Sequence, residues 1–233
     1  MNKITAHVMV RNEEYWIGHI LIPVLQVFEH VIIADTGSSD DTLKIVGQVL
    51  QGVPNEKYEL IVTAPLTPKE NGEMRQHMTD ITPTEWAMIV DGDEYYTIEA
   101  LEKLMATDIP ETARLGFTLL ETLHCKDRQF WGAETWNKQA TFHAKTTKWH
   151  NAYPWEGPSW YNQPETFFYY PAGVEGYDFH HLQRSSKDAM TPHRLDNTRS
   201  PQPLNREVTL SLDLWKWPNP YCWPRRTRDA EDV

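Results

Sequence analysis

The sequence predicts an α/β domain with a mostly parallel central sheet, helices on both faces and a loop-rich, aromatic C-terminal extension. Three observations lead there. Short β-branched runs alternate with amphipathic stretches through the first half. Each run ends in polar turn chemistry. The 233 residues suffice for one well-buried core but hardly for two full domains.

Ile4 to Val10 is the first apolar run, followed by Arg11-Asn12-Glu13-Glu14. Apolar residues then recur about every fourth position from Trp16 to Phe28, the period of a helix, with Pro23 placed to kink or shorten it. Val31 to Ala34 is a compact β-branched strand ending at Asp35. Thr36 to Thr42 supplies turn and N-cap residues for a helix through Leu43, Val46 and Leu50. Tyr58 to Val62 reads as a third strand, Met74 to Ile81 as a helix, and Trp86 to Val90 as a fourth strand running into Asp91-Gly92-Asp93-Glu94. Strands joined by crossover helices pair in parallel, and ligands of such sheets sit at the carboxyl ends of the strands. The loops at 11–14, 35–41 and 91–94 are therefore expected to share one edge.

Beyond about residue 110 the texture changes. Leu115 to Leu123 and Ala140 to Lys145 read as further strands, but eight of the ten tryptophans lie from Trp131 onward, among clustered Tyr and Pro. The expected division is one domain over 1–213, in two halves at 1–108 and 109–213. An irregular tail at 214–233 ends in a basic Arg225-Arg226-Thr227-Arg228 stretch.

Composition narrows the function classes. Lys plus Arg number 22 against 33 Asp plus Glu, a net charge of −11, so the average field repels nucleic acid and anionic membrane. Two distant cysteines, Cys125 and Cys222, provide neither a disulfide framework nor a Cys-rich zinc site. A reduced, cytoplasmic setting is expected. No apolar stretch is long enough for a transmembrane helix, and the N-terminus lacks a signal-peptide core because His7 interrupts it. Dinucleotide, P-loop, zinc-protease and nucleophile-elbow motifs are absent.

The strand Trp86 to Val90 delivers two carboxylates, Asp91 and Asp93, separated by Gly92. Such a pair suits a hard divalent cation, because Mg²⁺ and Mn²⁺ take oxygen ligands and complete their shells with substrate phosphates. Taken alone, the pair also reads as a solvated acidic turn before a helix.

In order and approximate spacing, MVRNEEYWI, IIADTGSSDDT, the lone Arg75 and MIVDGDE resemble the family 2 type of GT-A glycosyltransferases. The resemblance covers roughly residues 4 to 105. It implies a Rossmann-like GT-A fold and a metal-dependent transferase that moves a sugar from a nucleotide-diphosphate donor, a UDP-sugar first of all, to a hydroxyl of a glycan or other acceptor, with inversion. By the same resemblance Val10, Arg11, Asn12 and Glu13 would line the base and ribose. Asp35 would accept hydrogen bonds from them, Arg75 would face the diphosphate, and Asp91, Gly92 and Asp93 would form the DxD element that holds Mn²⁺ or Mg²⁺. Helix capping by Asp35 and a surface salt bridge of Arg75 are the structural alternatives.

By the same resemblance a late histidine would complete the metal shell, with His181 chosen over His180; the alternative is that both are ordinary partly buried histidines. Arg184 and Lys187, just beyond, read either as phosphate contacts or as a solvated basic turn. The resemblance also makes 1–108 the nucleotide-sugar-binding half and 109–213 the acceptor-side half, where Lys138 to Phe142 followed by Trp155-Glu156-Gly157-Pro158 resembles the acceptor-side segment of bacterial family 2 relatives. Glu156 is therefore the first choice for the base that deprotonates the acceptor, with Glu134 and Asp178 as rivals. Trp131, Trp136, Trp155 and Trp160 are either sugar-stacking platforms or core aromatics. Two other functions remain open on the sequence. A sugar-nucleotide nucleotidyltransferase is disfavoured by the glycine-free first loop. A non-catalytic carbohydrate-binding module would bind glycan without nucleotide.

Overall fold

The computed structural model describes residues 3–14, 16–126, 129–150, 157–160, 162–181 and 202–203; side chains are described for these except at 121–126, 129–136, 178–181 and 202–203. The first half follows the expected alternation. Strand β1 (Ile4–Val10), helix α1 (Ile17–Val27), β2 (His30–Asp35), α2 (Thr42–Val49), β3 (Tyr58–Val62), α3 (Pro68–Asp80) and β4 (Trp86–Asp91) succeed one another. The strands β3-β2-β1-β4 pair in parallel, with Val10 opposite Asp35 and Met9 opposite Asp91. That register puts the three polar loops on one edge, as the alternation predicts.

Strand alternation divides the core. Ala6, Val8, Val31, Ile33, Met88 and Val90 face helices α1, α2 and α4 (Ile98–Ala106), while Ile32 and Ala34 pack against Met78 of α3 on the other face. Helices therefore cover both faces. α1 continues through the buried Pro23 to Val27, so the proline does not shorten it. Its burial among Ile20, Leu21 and Val24 holds the segment helical despite the missing N–H. α3 begins six residues before the expected Met74. Thr67 and Glu70 form a reciprocal capping box with Pro68 at the first turn, a start signal that the weak amphipathicity of the segment obscures.

The second half joins the same sheet and is richer in strand than its composition suggests. The hairpin β6 (Leu115–Lys126) and β7 (Gln129–His143) docks antiparallel onto β4. Short strands β8 (Trp149–His150) and β9 (Gly157–Pro158) form a separate pair. β10 (Phe167–Tyr169) and β11 (Glu175–His181) lie parallel to β6, β12 (Gln202–Pro203) pairs with β7, and β11 pairs antiparallel with β5 (Glu94–Tyr96). The full path reads β3-β2-β1-β4-β7-β6-β11-β5. β5 ends that path, yet it begins three residues after β4 ends, so the sheet must curl until both ends of the added block meet at the Asp91–Glu94 turn. Its aromatic packing includes Phe142 edge-on to both His7 and Trp149, and Phe168 edge-on to Trp86. No helix among the described residues is long and apolar enough to cross a membrane.

Candidate functional site

Three strand ends build the site. Val10 closes β1, and its carbonyl accepts from Thr36 N at 2.9 Å, tying the first loop to the second. Asn12 takes a left-handed backbone (φ 57°), a conformation that asparagine tolerates better than most residues. Its side-chain oxygen accepts from Ser39 N at 2.8 Å, and its own N–H donates to Ser38 Oγ at 3.0 Å. Glu13 is buried; its N–H donates to Thr42 Oγ1 at 2.7 Å, and its carbonyl accepts the first N–H groups of α1. Arg11 is half-buried, with Nε lacking a hydrogen-bond partner among the described residues.

Asp35, 1% exposed, uses Oδ1 to accept from Gly37 N at 3.0 Å and Ser38 N at 2.9 Å. Oδ2 is buried and has no hydrogen-bond partner among the described residues. A buried carboxylate oxygen without a donor is costly, so this atom is suited to a ligand N–H or hydroxyl. These contacts shape the loop rather than cap α2, whose N-cap is Asp41. Gly37 is required twice over: its φ is +90°, and a Cβ would lie 2.3 Å from Pro65 N.

The third loop meets the first at Gly92. A Cβ there would stand 2.6 Å from Val10 Cγ2 and 2.9 Å from Glu13 Cγ, and Gly92 N donates to Met9 O at 3.2 Å. The Asp91 turn therefore lies directly against the 10–13 segment, which is what a shared site requires.

Asp91 anchors a network of buried charge. Arg75 NH2 donates to Oδ1, and Lys138 Nζ donates to Oδ2 at 3.2 Å. The same ammonium contacts Glu94 Oε1, while Glu94 Oε2 accepts from Asp91 N at 3.1 Å. The Arg75 and Lys138 side chains are only 6% and 9% exposed, against 36% for Asp91, so both cations lie behind the carboxylate as seen from solvent. The surface salt bridge allowed for Arg75 is thus replaced by a buried one. Burial opposes ionisation of Asp91, but Lys138 and Arg75 outweigh it and hold the carboxyl well below the usual range. Burial also disfavours a charged Lys138, yet Asp91 and Glu94 keep it protonated and push it up. Glu94 goes the other way: burial, with the neighbouring charge of Asp91, overcomes Lys138 and pushes it up to about 8.

Lys138 reaches this position from β7, opposite Thr118, next to a register shift between Gly116 and Phe117. Such an irregularity re-aims side chains. Sequence reasoning missed Lys138 and Glu94 as site residues. The available signal was a lysine alternating with the core residues Ala140 and Phe142 along a strand, a position that burial forbids unless the charge is paired.

Among the described residues no group of three or more His, Cys, Asp or Glu stands ready for a metal. Asp93, half-buried on the turn, offers oxygen donors of the right chemistry for Mn²⁺ or Mg²⁺. Asp91 fits that role poorly as folded, because each of its oxygens already faces a cation.

The remaining candidates lie in the second half. Glu134, Thr122, Asp178 and Glu94 form one row across β7, β6, β11 and β5. Two of the three candidate bases, Glu134 and Asp178, are thus aligned by backbone register with the edge of the charge network. β11 continues three residues past that row to His181, which pairs with Cys125. Glu156, Trp155, Arg184, Lys187 and the tail at 214–233 lie outside the described residues. Trp160 is half-buried against the Phe142 cluster with Arg114 over its ring at 5.9 Å, a packing role.

No family model matches the chain, and no curated protein matches it. Solved structures overlap part of it. TarS of S. aureus is 21% identical over 55% of this chain and 23% of its own, with a TM-score of 0.41. The TarS 1–349 structure with UDP-GlcNAc is 20% identical over 55% of this chain and 36% of its own, at 0.41. The mannosyltransferase PcManGT from Pyrobaculum calidifontis, solved with GDP-Man and Mn²⁺, is 16% identical over 60% of this chain and 44% of its own, at 0.43. The chain thus spans less than half the length of each of these proteins.

Proposed function

We propose that the chain is a glycosyltransferase that uses a nucleotide-diphosphate sugar, a UDP-sugar first of all, and transfers the sugar with inversion to a hydroxyl of a glycan or other acceptor. The observation that carries this reading is the convergence of three strand-end loops on one edge. One presents a buried Asp35 oxygen that has no hydrogen-bond partner among the described residues, and another presents the Asp91–Asp93 turn backed by Arg75 and Lys138.

In this reading Asp35 Oδ2 accepts from the base N–H or a ribose hydroxyl. The 10–13 segment walls the same subsite, and its hydrogen bonds to Ser38, Ser39 and Thr42 keep it preorganised. The cationic backing of Asp91 lowers the cost of bringing a diphosphate beside acidic side chains. Asp93 would hold Mn²⁺ or Mg²⁺, which when bound neutralises charge on the departing diphosphate. The acceptor oxygen then attacks the anomeric carbon as the bond to the diphosphate oxygen breaks. A carboxylate on the opposite side takes the hydroxyl proton. Glu156 stays the first choice for that base, with Asp178 and Glu134, which share a row with Glu94, as rivals.

The test is binding and turnover together. UDP should raise the melting temperature in the presence of Mn²⁺ and much less without it. Asp93→Ala should lower kcat by about 10²-fold, ~3 kcal/mol. Metal-independent UDP binding with an undiminished Asp93→Ala rate sinks the reading. Binding of free glycan without nucleotide would point to a non-catalytic carbohydrate module.

A further inference from the structure

All four carboxylate oxygens of Asp91 and Glu94 are engaged. Asp91 Oδ1 receives Arg75 NH2, and Oδ2 receives Lys138 Nζ at 3.2 Å. Glu94 Oε1 receives the same Nζ, and Oε2 receives Asp91 N at 3.1 Å. One ammonium therefore sits between two carboxyl groups three residues apart, where a small hard cation would otherwise be drawn to Asp91. The ammonium is delivered from a different strand, and it is held there by burial. A divalent ion bound to Asp91 would have to displace Lys138 or Arg75, or share the carboxylate with them at close range and like charge.

We propose that Lys138 is a positioning residue whose ammonium is the resident cation of the Asp91–Glu94 pair, closing Asp91 to divalent metal and leaving metal capture on this turn to Asp93. The inference rests on the glycosyltransferase reading for its purpose but not for its test. It splits the roles of the two aspartates: Asp91 fixes Arg75 and Lys138 behind the turn, whereas Asp93 is the one that takes the ion. It also explains why a lysine stands at a core position of β7, since the Asp91 carboxylate, with the Glu94 carboxyl as a further acceptor, offsets a burial that would otherwise be prohibitive.

Mn²⁺ binding to the full chain, read from the electron paramagnetic resonance of the free ion, tests this without any activity assay. Lys138→Met, which opens the carboxylate pair, should bind Mn²⁺ at least about 10-fold more tightly than the wild type in the absence of nucleotide. Lys138→Arg, which keeps the charge, should not. Should Lys138→Met be unfolded without metal, restoration of its far-UV circular dichroism by Mn²⁺ reads the same event. With UDP present, Asp91→Asn should leave Mn²⁺ affinity within about 2-fold, and Asp93→Asn should lose about 10-fold or more. Failure of Lys138→Met to gain Mn²⁺ affinity or Mn²⁺-dependent folding overturns the proposal, as does an Asp91→Asn loss equal to that of Asp93→Asn. Absence of UDP binding by the wild type overturns the transferase reading instead and leaves the nucleotide-free comparison of Lys138→Met with Lys138→Arg intact.

Discussion

The block β1 to β4 and the block β5 to β11, its separate β8–β9 pair aside, form one sheet, but they contribute to the site in different ways. In the first block the functional residues other than Arg75 of α3 sit at the ends of strands or in the loops directly after them, and parallel pairing alone brings Val10, Asp35 and Asp91 to one edge. In the second block Lys138 comes from within a strand and Glu94 from a three-residue strand that pairs with β11, far along the chain. Loops after parallel strands present backbone N–H groups and short polar side chains to a ligand. The strand-borne residues of the second block place charge behind those loops. The difference teaches that the ligand-facing surface is assembled locally and its electrostatic backing non-locally.

The comparison can be broken by asking whether the two blocks unfold together. Phe142 and Phe28 are both fully buried, one in each block. Phe142→Ala and Phe28→Ala should each cost about 4 kcal/mol, and both should shift a single denaturation midpoint. Two separate transitions, each moved by only one variant, would show the blocks to be independent.

The next effect belongs to the first block. Gly37→Ala should cost about 3 kcal/mol, because an alanine at φ +90° is strained and its methyl would collide with the backbone at Pro65. Chemical denaturation checks this. A near-neutral result would mean that the second loop can shift without disturbing the first.

The second block should show itself in pH dependence. Glu94 is pushed up from its ordinary 4.5 to about 8, so its protonated form is the one the fold prefers. Its contribution is complete below about pH 4.5 and is lost as pH rises through about 8. The melting temperature should therefore fall by roughly 5–10 °C between pH 6 and pH 9, on the order of 2–3 kcal/mol. Glu94→Gln, which cannot ionise, should flatten that limb. A wild-type profile without the alkaline fall would show Glu94 ionised throughout by its contact with Lys138. His7 acts on the acid side. Burial first, then the charge of Arg75, lowers it to about 3, so its contribution is complete above about 6.5 and is lost as pH falls towards 3.

The smallest effect sharpens the boundary of α3. Thr67→Ala removes the capping-box acceptor and should cost about 0.5–1 kcal/mol in thermal denaturation, with no change in UDP-dependent stabilisation. Loss of UDP binding in this variant would mean that Arg75 depends on the helix start more than its packing suggests.

Legibility followed the same division. The strands and loops of the first block announce themselves because hydrophobic period, turn residues and strand ends are local properties of the chain. Val31 to Ala34, Asp35 and the Asp91–Asp93 turn stand where the pattern puts them. α3 was harder to place. Its interior is mostly polar, and its early start depends on a Thr-Pro-x-x-Glu spacing read as helix chemistry only when the cap is sought. Arg75 could be assigned a charge but not a partner, since nothing local to α3 indicates the end of β4. Lys138 and Glu94 escaped notice for a stronger reason: their meeting depends on the β6–β7 hairpin docking on β4 and on β11 capturing β5.

The sequence by itself determined the alternation of strands and helices, the single edge on which three polar loops gather, and the acidic character of the third loop, because each follows from periodicity and turn chemistry within a few residues. Only the tertiary structure decided that Asp91 is held by two buried cations, that one Asp35 oxygen is buried without a hydrogen-bond partner among the described residues, and that the second block curls back to the Asp91–Glu94 turn. Those outcomes depend on which distant groups burial forces together, and charge pairing in a low-dielectric interior is decided by geometry that no local spacing encodes.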